Sequence, residues 1–262
     1  MTFHIDSTLR DRWRCEDGRF VAMLPEGWSQ GRSVFGGLTT AMAVALGYTL
    51  SQGRPLRTLT THLVRPSVPG EIEGQVALIR SGRNVSFVEV TLLQAGKETS
   101  RATLVFAEPN PEALQVSPKR PVPEAPVEVL ETLPRTSGRI PEFVQHVEMR
   151  WVTGDHPFTS STESEFTGYC RFKVPSGGPE GLIALLDVWP APPLAMLSRP
   201  APASTVSWTA HLLKLPERLT DWCFYSYKTV AGEGGYHTCA GHLYDADGAL
   251  LAYSEQLVVL YG

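Results

Sequence analysis

The stretch VFGGLTTAMAVAL, residues 34–46, predicts a helix that is buried on most of its sides. Its apolar residues follow the spacing of one helix face: Leu38, Ala41, Met42, Ala45 and Leu46. Residues 41–46 carry no charged side chain at all, so little of this helix can face water. A helix of this kind needs a partner that surrounds it, and a curved β-sheet is such a partner.

The same order of elements occurs twice along the chain. The first helix is preceded by a strand at 19–24 and followed by strands at 58–65, 71–80, 85–94 and 100–106. A second apolar helix is predicted at 179–189, where Pro179 and Glu180 suit the first helical turn. Strands at 147–152 and 165–174 precede it, and strands at 205–213, 222–230, 237–244 and 250–260 follow it.

A pair of similar motifs links the two halves. TTHL (60–63) and TAHL (209–212) match at an offset of 149 residues, which indicates an internal duplication. The predicted fold is therefore α+β, a tandem double hotdog in which each half is a curved antiparallel sheet wrapped around a central helix. We expect an N-terminal hotdog at 1–107, a Pro-rich linker at 108–140 and a C-terminal hotdog at 141–262.

Composition excludes several classes of function. The 262 residues hold 23 Lys+Arg against 27 Asp+Glu, so no general basic field is available for nucleic acid. No apolar run is long enough to span a bilayer, and residues 1–18 lack the apolar core of a secretory signal, so we expect no membrane partner and a cytoplasmic location. The four cysteines are isolated, at Cys15, Cys170, Cys223 and Cys239, and predict no metal site.

The common hydrolase and nucleotide motifs are missing. GRSVFG (31–36) misses the serine-nucleophile pattern by one residue, and GEGG (232–235) lies between two predicted strands, which favours a hairpin turn. Gly36 and Gly37 begin the buried helix, where free backbone N–H groups and the positive end of the helix dipole can hold a carbonyl oxygen. Spacing alone leaves open whether they do so or form a tight turn.

Six stretches, taken in order, resemble bacterial thioesterase II and related acyl-CoA thioesterases. They are GRSVFGG (31–37), LVRP (63–66), RSGRNVSF (80–87), TVSW (205–208), WCFYS (222–226) and SEQ (254–256). The resemblance covers nearly the whole chain outside the linker. It implies a double hotdog that hydrolyses acyl-CoA thioesters in fatty acid metabolism without a cofactor, a metal or a covalent intermediate. Homodimerisation is frequent in that family, although two tandem hotdogs already pair their sheets and also allow a monomer.

In that family an Asp, a Thr and a Gln of the second hotdog hold the attacking water. The resemblance carries the glutamine to Gln256 and the threonine to Thr229, the nearest hydroxyl on its strand. It carries the aspartate to Ser207, a departure, because a serine is not a useful general base at neutral pH. Asp187 is a substitute carboxylate in an apolar run, where burial would raise its pKa; it could equally be a solvent-facing cap.

The remaining candidates concern substrate binding. Arg65 and Arg83 could pair with the phosphates of CoA, although each could also be an ordinary solvated arginine. The resemblance adds the turn residues Asn84, Val85 and Ser86, and the helix start adds Gly36 and Gly37.

Two other functions remain open at this point. Ser207 in place of a carboxylate suggests an acyl-CoA or acyl-lipid binding module without catalysis. His62 and His211 occupy equivalent positions in the duplicated strands, which suggests an enoyl-CoA hydratase or dehydratase that uses a strand histidine. Both histidines could also lie at a strand end or face solvent.

Overall fold

The computed structural model describes residues 3–116, 118, 127–130, 140–216 and 218–261. Within that part of the chain, two α-helices and fourteen strands are formed. The helices are α1 (Gly36–Gly47) and α2 (Gly178–Leu186). The strands are β1 (Arg14–Glu16), β2 (Arg19–Leu24), β3 (Ser29–Gln30), β4 (Ser33–Val34), β5 (Leu56–Leu63), β6 (Gly70–Ser81), β7 (Val85–Gln94), β8 (Lys97–Ala107), β9 (Val147–Thr153), β10 (Glu165–Phe172), β11 (Ala203–Leu212), β12 (Cys223–Glu233), β13 (Tyr236–Tyr244) and β14 (Leu250–Leu260).

Twelve of these strands form one sheet, in the order β1-β2-β6-β7-β8-β5-β11-β14-β13-β12-β10-β9. Every neighbouring pair is antiparallel. Strands β3 and β4 form a separate hairpin directly before α1. The sheet has two faces, and the face that packs against the helices is called the inner face here.

Helix α1 is buried along its length, as its apolar sequence predicts. All of its residues after Gly36 are buried, and the strands of the N-terminal half surround it. Helix α2 is buried in the same way from Pro179 to Leu186. It is shorter than the predicted run to residue 189, because the backbone leaves the helical conformation at Asp187 and prolines follow at 190, 192 and 193. The tandem hotdog prediction is confirmed by this architecture.

The two halves of the sheet join through β5 and β11. Thr60 and Thr209, which correspond at the offset of 149 residues, are direct register partners, and their hydroxyl oxygens are 3.1 Å apart. Equivalent residues meet in this way where a local twofold axis relates two copies of a unit. The duplication is therefore visible as pairing of the repeated motifs with each other.

The first residues of α1 lie beside the last residues of α2. A Cβ atom on Gly37 would lie 2.9 Å from the carbonyl oxygen of Ala184, and one on Gly36 would lie 3.0 Å from Asp187 Oδ2. Most of the predicted linker, 119–126 and 131–139, lies outside the described residues. The domain boundaries at 107 and 141 stay a prediction. No helix in the described ranges has the length and apolar character to cross a bilayer.

Candidate active site

Asp187 follows the last turn of α2 and is enclosed by protein, with part of the residue still within reach of solvent. Burial raises the pKa of its carboxyl group to about 7. Hydrogen bonds from the Gln256 side chain and from the backbone N–H of Gly37 oppose this rise, because both stabilise the charged carboxylate. Asp187 is thus a carboxyl group poised to gain or lose a proton near neutral pH.

Gln256 of β14 is buried and uses both ends of its amide. Its Nε2 donates to Asp187 Oδ1 at 2.9 Å. Its Oε1 accepts from Thr205 Oγ1 at 3.1 Å and from the Tyr227 hydroxyl at 3.1 Å. Three strands and the residue after α2 therefore contribute one side chain each to a single hydrogen-bonded group. We call this group the Asp187–Gln256 cluster; its members are Asp187, Thr205, Tyr227 and Gln256.

A β-bulge in β11 brings Thr205 into this cluster. The register of β11 against β14 shifts between Thr205 and Ser207, which leaves Val206 without a partner. The register partner of Trp208 is Gln256, and that of Thr205 is Val258. All four side chains lie on the inner face or at its edge. Without the extra residue, alternation would put Thr205 on the outer face with Ser207.

The start of α1 closes the other side of the cluster. Gly36 lies beside Asp187 and Leu63. A Cβ atom built on Gly36 would be 3.0 Å from Asp187 Oδ2 and 3.3 Å from Leu63 Cδ1. In the first turn of α1, the N–H of Gly37 donates to Asp187 and the N–H of Leu38 donates to the Phe35 carbonyl at 3.1 Å, and the helix dipole is positive at this end. A carboxylate, an amide, a hydroxyl and a helix start thus surround one small region.

The structure separates the other two predicted catalytic residues from this cluster. Ser207 pairs with His62 and Leu257, and its side chain lies on the face opposite to the buried Trp208. Thr229 lies on the inner face, but its hydroxyl contacts Ser164 Oγ at 2.6 Å. Its hydroxyl oxygen is also 3.9 Å from Sγ of Cys239, and Cys239 is the register partner of Gln256. The threonine that is hydrogen-bonded to Gln256 is therefore Thr205, and the carboxyl group bonded to Gln256 is that of Asp187.

The predicted binding residues fall into two groups. Arg65 follows two residues after Leu63, the residue whose Cδ1 lies against Gly36, and it is exposed, with one N–H donated to the carbonyl of Glu98 at 2.8 Å. The turn of Arg83, Asn84, Val85 and Ser86 is not brought to the cluster. Arg54, which follows the C-terminal end of α1, donates to the carbonyl of Arg83 at 2.8 Å and also to Ser86 Oγ.

That turn is therefore at the wrong end of α1 for a contact with the Asp187–Gln256 cluster. The twelve residues of α1 separate its two ends by roughly 17 Å. The resemblance of 80–87 to the family reflects a shared hairpin and a shared order of elements. It does not bring the Arg83 turn to the reacting atoms.

The strand histidines point away from the cluster. His62 and His211 are both exposed, while their neighbours Thr61 and Leu212 are buried on the inner face. Neither side chain lies on the face of the sheet that carries the Asp187–Gln256 cluster. Among the described residues, no three His, Cys, Asp or Glu side chains converge as a metal site would require.

Thr205 and Tyr227 are the two cluster residues that sequence reasoning missed. Thr205 stands inside a stretch that was singled out, TVSW (205–208), but the bulge that turns it inward leaves no mark in a simple alternating pattern. Tyr227 belongs to a strand of alternating aromatic residues, a pattern that is typical of core packing. A buried tyrosine needs a partner for its hydroxyl, which was the available signal.

Comparisons with known proteins agree with this fold. A solved protein of Alicyclobacillus acidocaldarius, described as of unknown function with a hotdog fold, superposes with a TM-score of 0.85 at 20% identity over 100% of this chain and 99% of its own. A tesB protein of Mycobacterium avium subspecies paratuberculosis gives 0.79 at 19% identity, covering 98% of each chain. The acyl-CoA thioesterase II TesB2 of Mycobacterium marinum gives 0.76 at 14%, covering 97% and 98%.

Sequence comparison identifies the family directly. No curated protein matches the chain. Residues 24–107 match the family described as acyl-CoA thioesterase N-terminal domain, and residues 118–260 match the acyl-CoA thioesterase C-terminal domain. The two matches span most of the chain in the order that the duplicated fold requires. The chain therefore belongs to the acyl-CoA thioesterase family.

Proposed function

We propose that this protein hydrolyses acyl-CoA thioesters with a water molecule that Asp187 activates directly. The observation that carries the proposal is the hydrogen bond of 2.9 Å between Gln256 Nε2 and Asp187 Oδ1, formed beside the start of α1. Membership of the acyl-CoA thioesterase family supports thioester hydrolysis in general. The cluster supports this particular route, because it unites a base near its working pKa with groups that can hold water.

The hydrogen-bonding capacity of the cluster suits one water molecule. Gln256 Nε2 has two hydrogens and gives one to Asp187, so the second can be offered to a water oxygen. Thr205 donates its hydroxyl hydrogen to Gln256 and keeps lone pairs that can accept from water. The Asp187 carboxyl accepts from Gln256 at Oδ1 and from the Gly37 N–H, and a carboxylate with about four lone-pair sites keeps the capacity to take a proton from water.

In the proposed reaction the water oxygen attacks the thioester carbonyl carbon while Asp187 accepts its proton. The electron pair of the carbonyl bond moves to the oxygen, and the backbone N–H of Gly36 and the positive dipole at the start of α1 stabilise that oxyanion, since the N–H groups of Gly37 and Leu38 donate to Asp187 and to the Phe35 carbonyl. When the oxyanion collapses, the carbon–sulfur bond breaks. The CoA thiolate leaves and takes up the proton held by Asp187, which yields free acid and CoA thiol.

The two rival functions have less support. Ser207, in a position where the family has a carboxylate, suggested a binding module without catalysis. Gln256 is nevertheless hydrogen-bonded to a carboxyl group, that of Asp187. A hydratase that uses a strand histidine would need His62 or His211 on the inner face, and both are exposed on the outer one.

The test is thiol release from acyl-CoAs of several chain lengths by the purified protein. We expect turnover, and we expect Asp187→Asn and Gln256→Ala to lower kcat by about a hundredfold or more, since they remove the base or its partner. His211→Ala is the matched control and should leave kcat unchanged. Tight binding of acyl-CoAs by calorimetry without turnover would replace hydrolysis by the binding function.

A further inference from the structure

We infer that Tyr227 is a positioning residue, whose hydroxyl holds the Gln256 amide in the orientation that presents Nε2 to Asp187. The inference rests on the proposed function for its kinetic consequence. Its structural content, the orientation of one amide beside one carboxyl group, can be tested without turnover. Tyr227 itself is not expected to touch the reacting atoms.

The geometry around Tyr227 leaves its hydroxyl one task. The side chain is fully buried, with its ring packed edge-to-face on Phe166 at 5.8 Å and on Tyr225 at 5.3 Å between centroids. Within the described residues, Gln256 Oε1 is the acceptor of its hydroxyl hydrogen. A buried hydroxyl without a partner costs free energy, so this hydrogen bond keeps both the ring and the amide in place.

The orientation of a glutamine amide matters beside a carboxylate. The oxygen and nitrogen ends have nearly the same shape and opposite hydrogen-bonding roles. With Nε2 toward Asp187, the amide stabilises the ionised carboxylate; with Oε1 toward Asp187, two acceptors would face each other. Thr205 and Tyr227 both donate to Oε1 and so bias the amide toward the productive orientation.

Tyr227 stays a donor over the whole working pH range. Burial raises the pKa of its phenol well above the ordinary value, and the nearby Tyr225, Cys239 and Asp187 add to this rise. The same burial keeps the neighbours neutral, since the pKa of Tyr225 is raised and that of Cys239 is raised to about 11.

Among the residues that the structure describes, no charged side chain acts on the Asp187 carboxyl group. The groups that act on its carboxyl are the Gln256 amide from β14 and the Gly37 N–H from α1. The titratable groups of β12 that interact with it are Tyr225 and Tyr227, and Cys239 of β13 interacts with both tyrosines; all three are neutral near pH 7. The protonation of Asp187 is therefore sensitive to how these few uncharged dipoles are oriented.

The first experiment compares Tyr227→Phe with wild type in kinetics over a range of pH. We expect kcat to fall about 3- to 10-fold with little change in KM, the size expected for one buried hydrogen bond. We also expect the acidic limb of the pH profile to move to higher pH, because the ionised form of Asp187 loses part of its support. Incorporation of 3-fluorotyrosine at position 227 keeps the donor and should restore both values.

A matched control removes a hydroxyl from the same sheet away from the cluster. Tyr244 of β13 is buried in the small outer-face group with Tyr169 and Phe224, so Tyr244→Phe should leave kcat and the pH profile unchanged. If Tyr227→Phe lowers only the melting temperature and shifts no limb, Tyr227 is a packing residue and the inference is wrong.

The second experiment follows the Asp187 carboxyl itself by carbon NMR during a pH titration, assigned with Asp187→Asn. Tyr227→Phe should raise the midpoint relative to wild type, and Tyr244→Phe should not. An unchanged midpoint overturns the inference even in a protein that hydrolyses thioesters. A raised midpoint in a protein without turnover supports the inference and counts against the proposed function instead.

Discussion

Thr205 donates a hydrogen bond of 3.1 Å to Gln256 because β11 bulges at Val206, directly after Thr205. One extra residue in the strand turns a side chain from the outer face of the sheet to the inner one. The position of the hydroxyl group in the proposed water site therefore depends on a backbone irregularity at the neighbouring residue, Val206.

The first prediction concerns which hydroxyl serves the reaction. Thr205→Val should lower kcat by about tenfold or more, because it removes both a donor to Gln256 and an acceptor for water. Thr205→Ser should keep most of the activity. Thr229→Val and Ser207→Ala are the matched controls, and we expect kcat close to wild type for both. Equal losses for Thr205→Val and Thr229→Val would contradict the assignment.

Much of the fold could be predicted from the sequence because hydrophobic periodicity and the repeated motif constrain it strongly. The apolar run at 34–46 requires a surrounding sheet, and the strands at 19–24, 85–94 and 250–260 have the predicted bounds. Burial also led from the sequence to Asp187, since a carboxyl group in an apolar run must be either paired or exposed.

The rest of the site depends on features that a linear pattern does not carry. The bulge at Val206 places Thr205 on the face opposite to Ser207, whereas strand alternation alone puts both side chains on one face. The Arg83 turn was placed by resemblance of sequence order, which does not say at which end of α1 a hairpin lies. Register and end-to-end placement are decided by tertiary pairing, so they had to come from the structure.

The second prediction is the pH dependence of activity. Asp187 acts as a base only when it is ionised, and its pKa is raised to about 7. We therefore expect kcat to rise with pH through about 7 and to level off above it. The profile is measured with a saturating acyl-CoA in buffers of constant ionic strength. A rate that is already at its plateau at pH 5 would show that a group with an ordinary carboxyl pKa is responsible.

The third prediction follows from the same pKa and concerns stability. The carboxyl titrates near 3.8 when unfolded and near 7 when folded, so the folded state holds the extra proton between these values. The free energy of unfolding should fall as pH rises through this window, by on the order of 4 kcal/mol in total. Asp187→Asn should remove this dependence and make the inactive variant more stable than wild type at pH 8.

Urea denaturation at pH 5 and pH 8 checks this stability difference. The comparison is between the two proteins at each pH, because other groups titrate in both. If the denaturation curves of wild type and Asp187→Asn shift by the same amount between pH 5 and pH 8, folding does not raise the pKa of the Asp187 carboxyl group, and the prediction is wrong.

The fourth prediction separates the two glycines at the start of α1. A Cβ on Gly36 would meet Asp187 Oδ2 at 3.0 Å, so Gly36→Ala should fold and lose activity, roughly tenfold, by displacing the carboxylate. A Cβ on Gly37 would meet the Phe35 ring at 2.5 Å and a backbone oxygen at 2.9 Å. Gly37→Ala should therefore cost stability, about 1–3 kcal/mol. Full activity in a folded Gly36→Ala variant would contradict this account of the site.

The fifth prediction tests where the nucleotide part of CoA lies. Arg65 is exposed two residues after Leu63, whose Cδ1 would lie 3.3 Å from a Cβ on Gly36, whereas the carbonyl of Arg83 accepts from Arg54, beyond the other end of α1. Of these two arginines, we therefore expect Arg65 to contact the phosphates. Arg65→Ala should raise KM for an acyl-CoA about 3- to 10-fold, because a charge-assisted contact with phosphate is lost. It should leave KM for the corresponding acyl-pantetheine unchanged, since that substrate has no nucleotide. Arg83→Ala is the matched control and should change neither value. A similar rise for both substrates would show that Arg65 supports the local fold, and a rise for Arg83→Ala alone would move the phosphates to the other end of the helix.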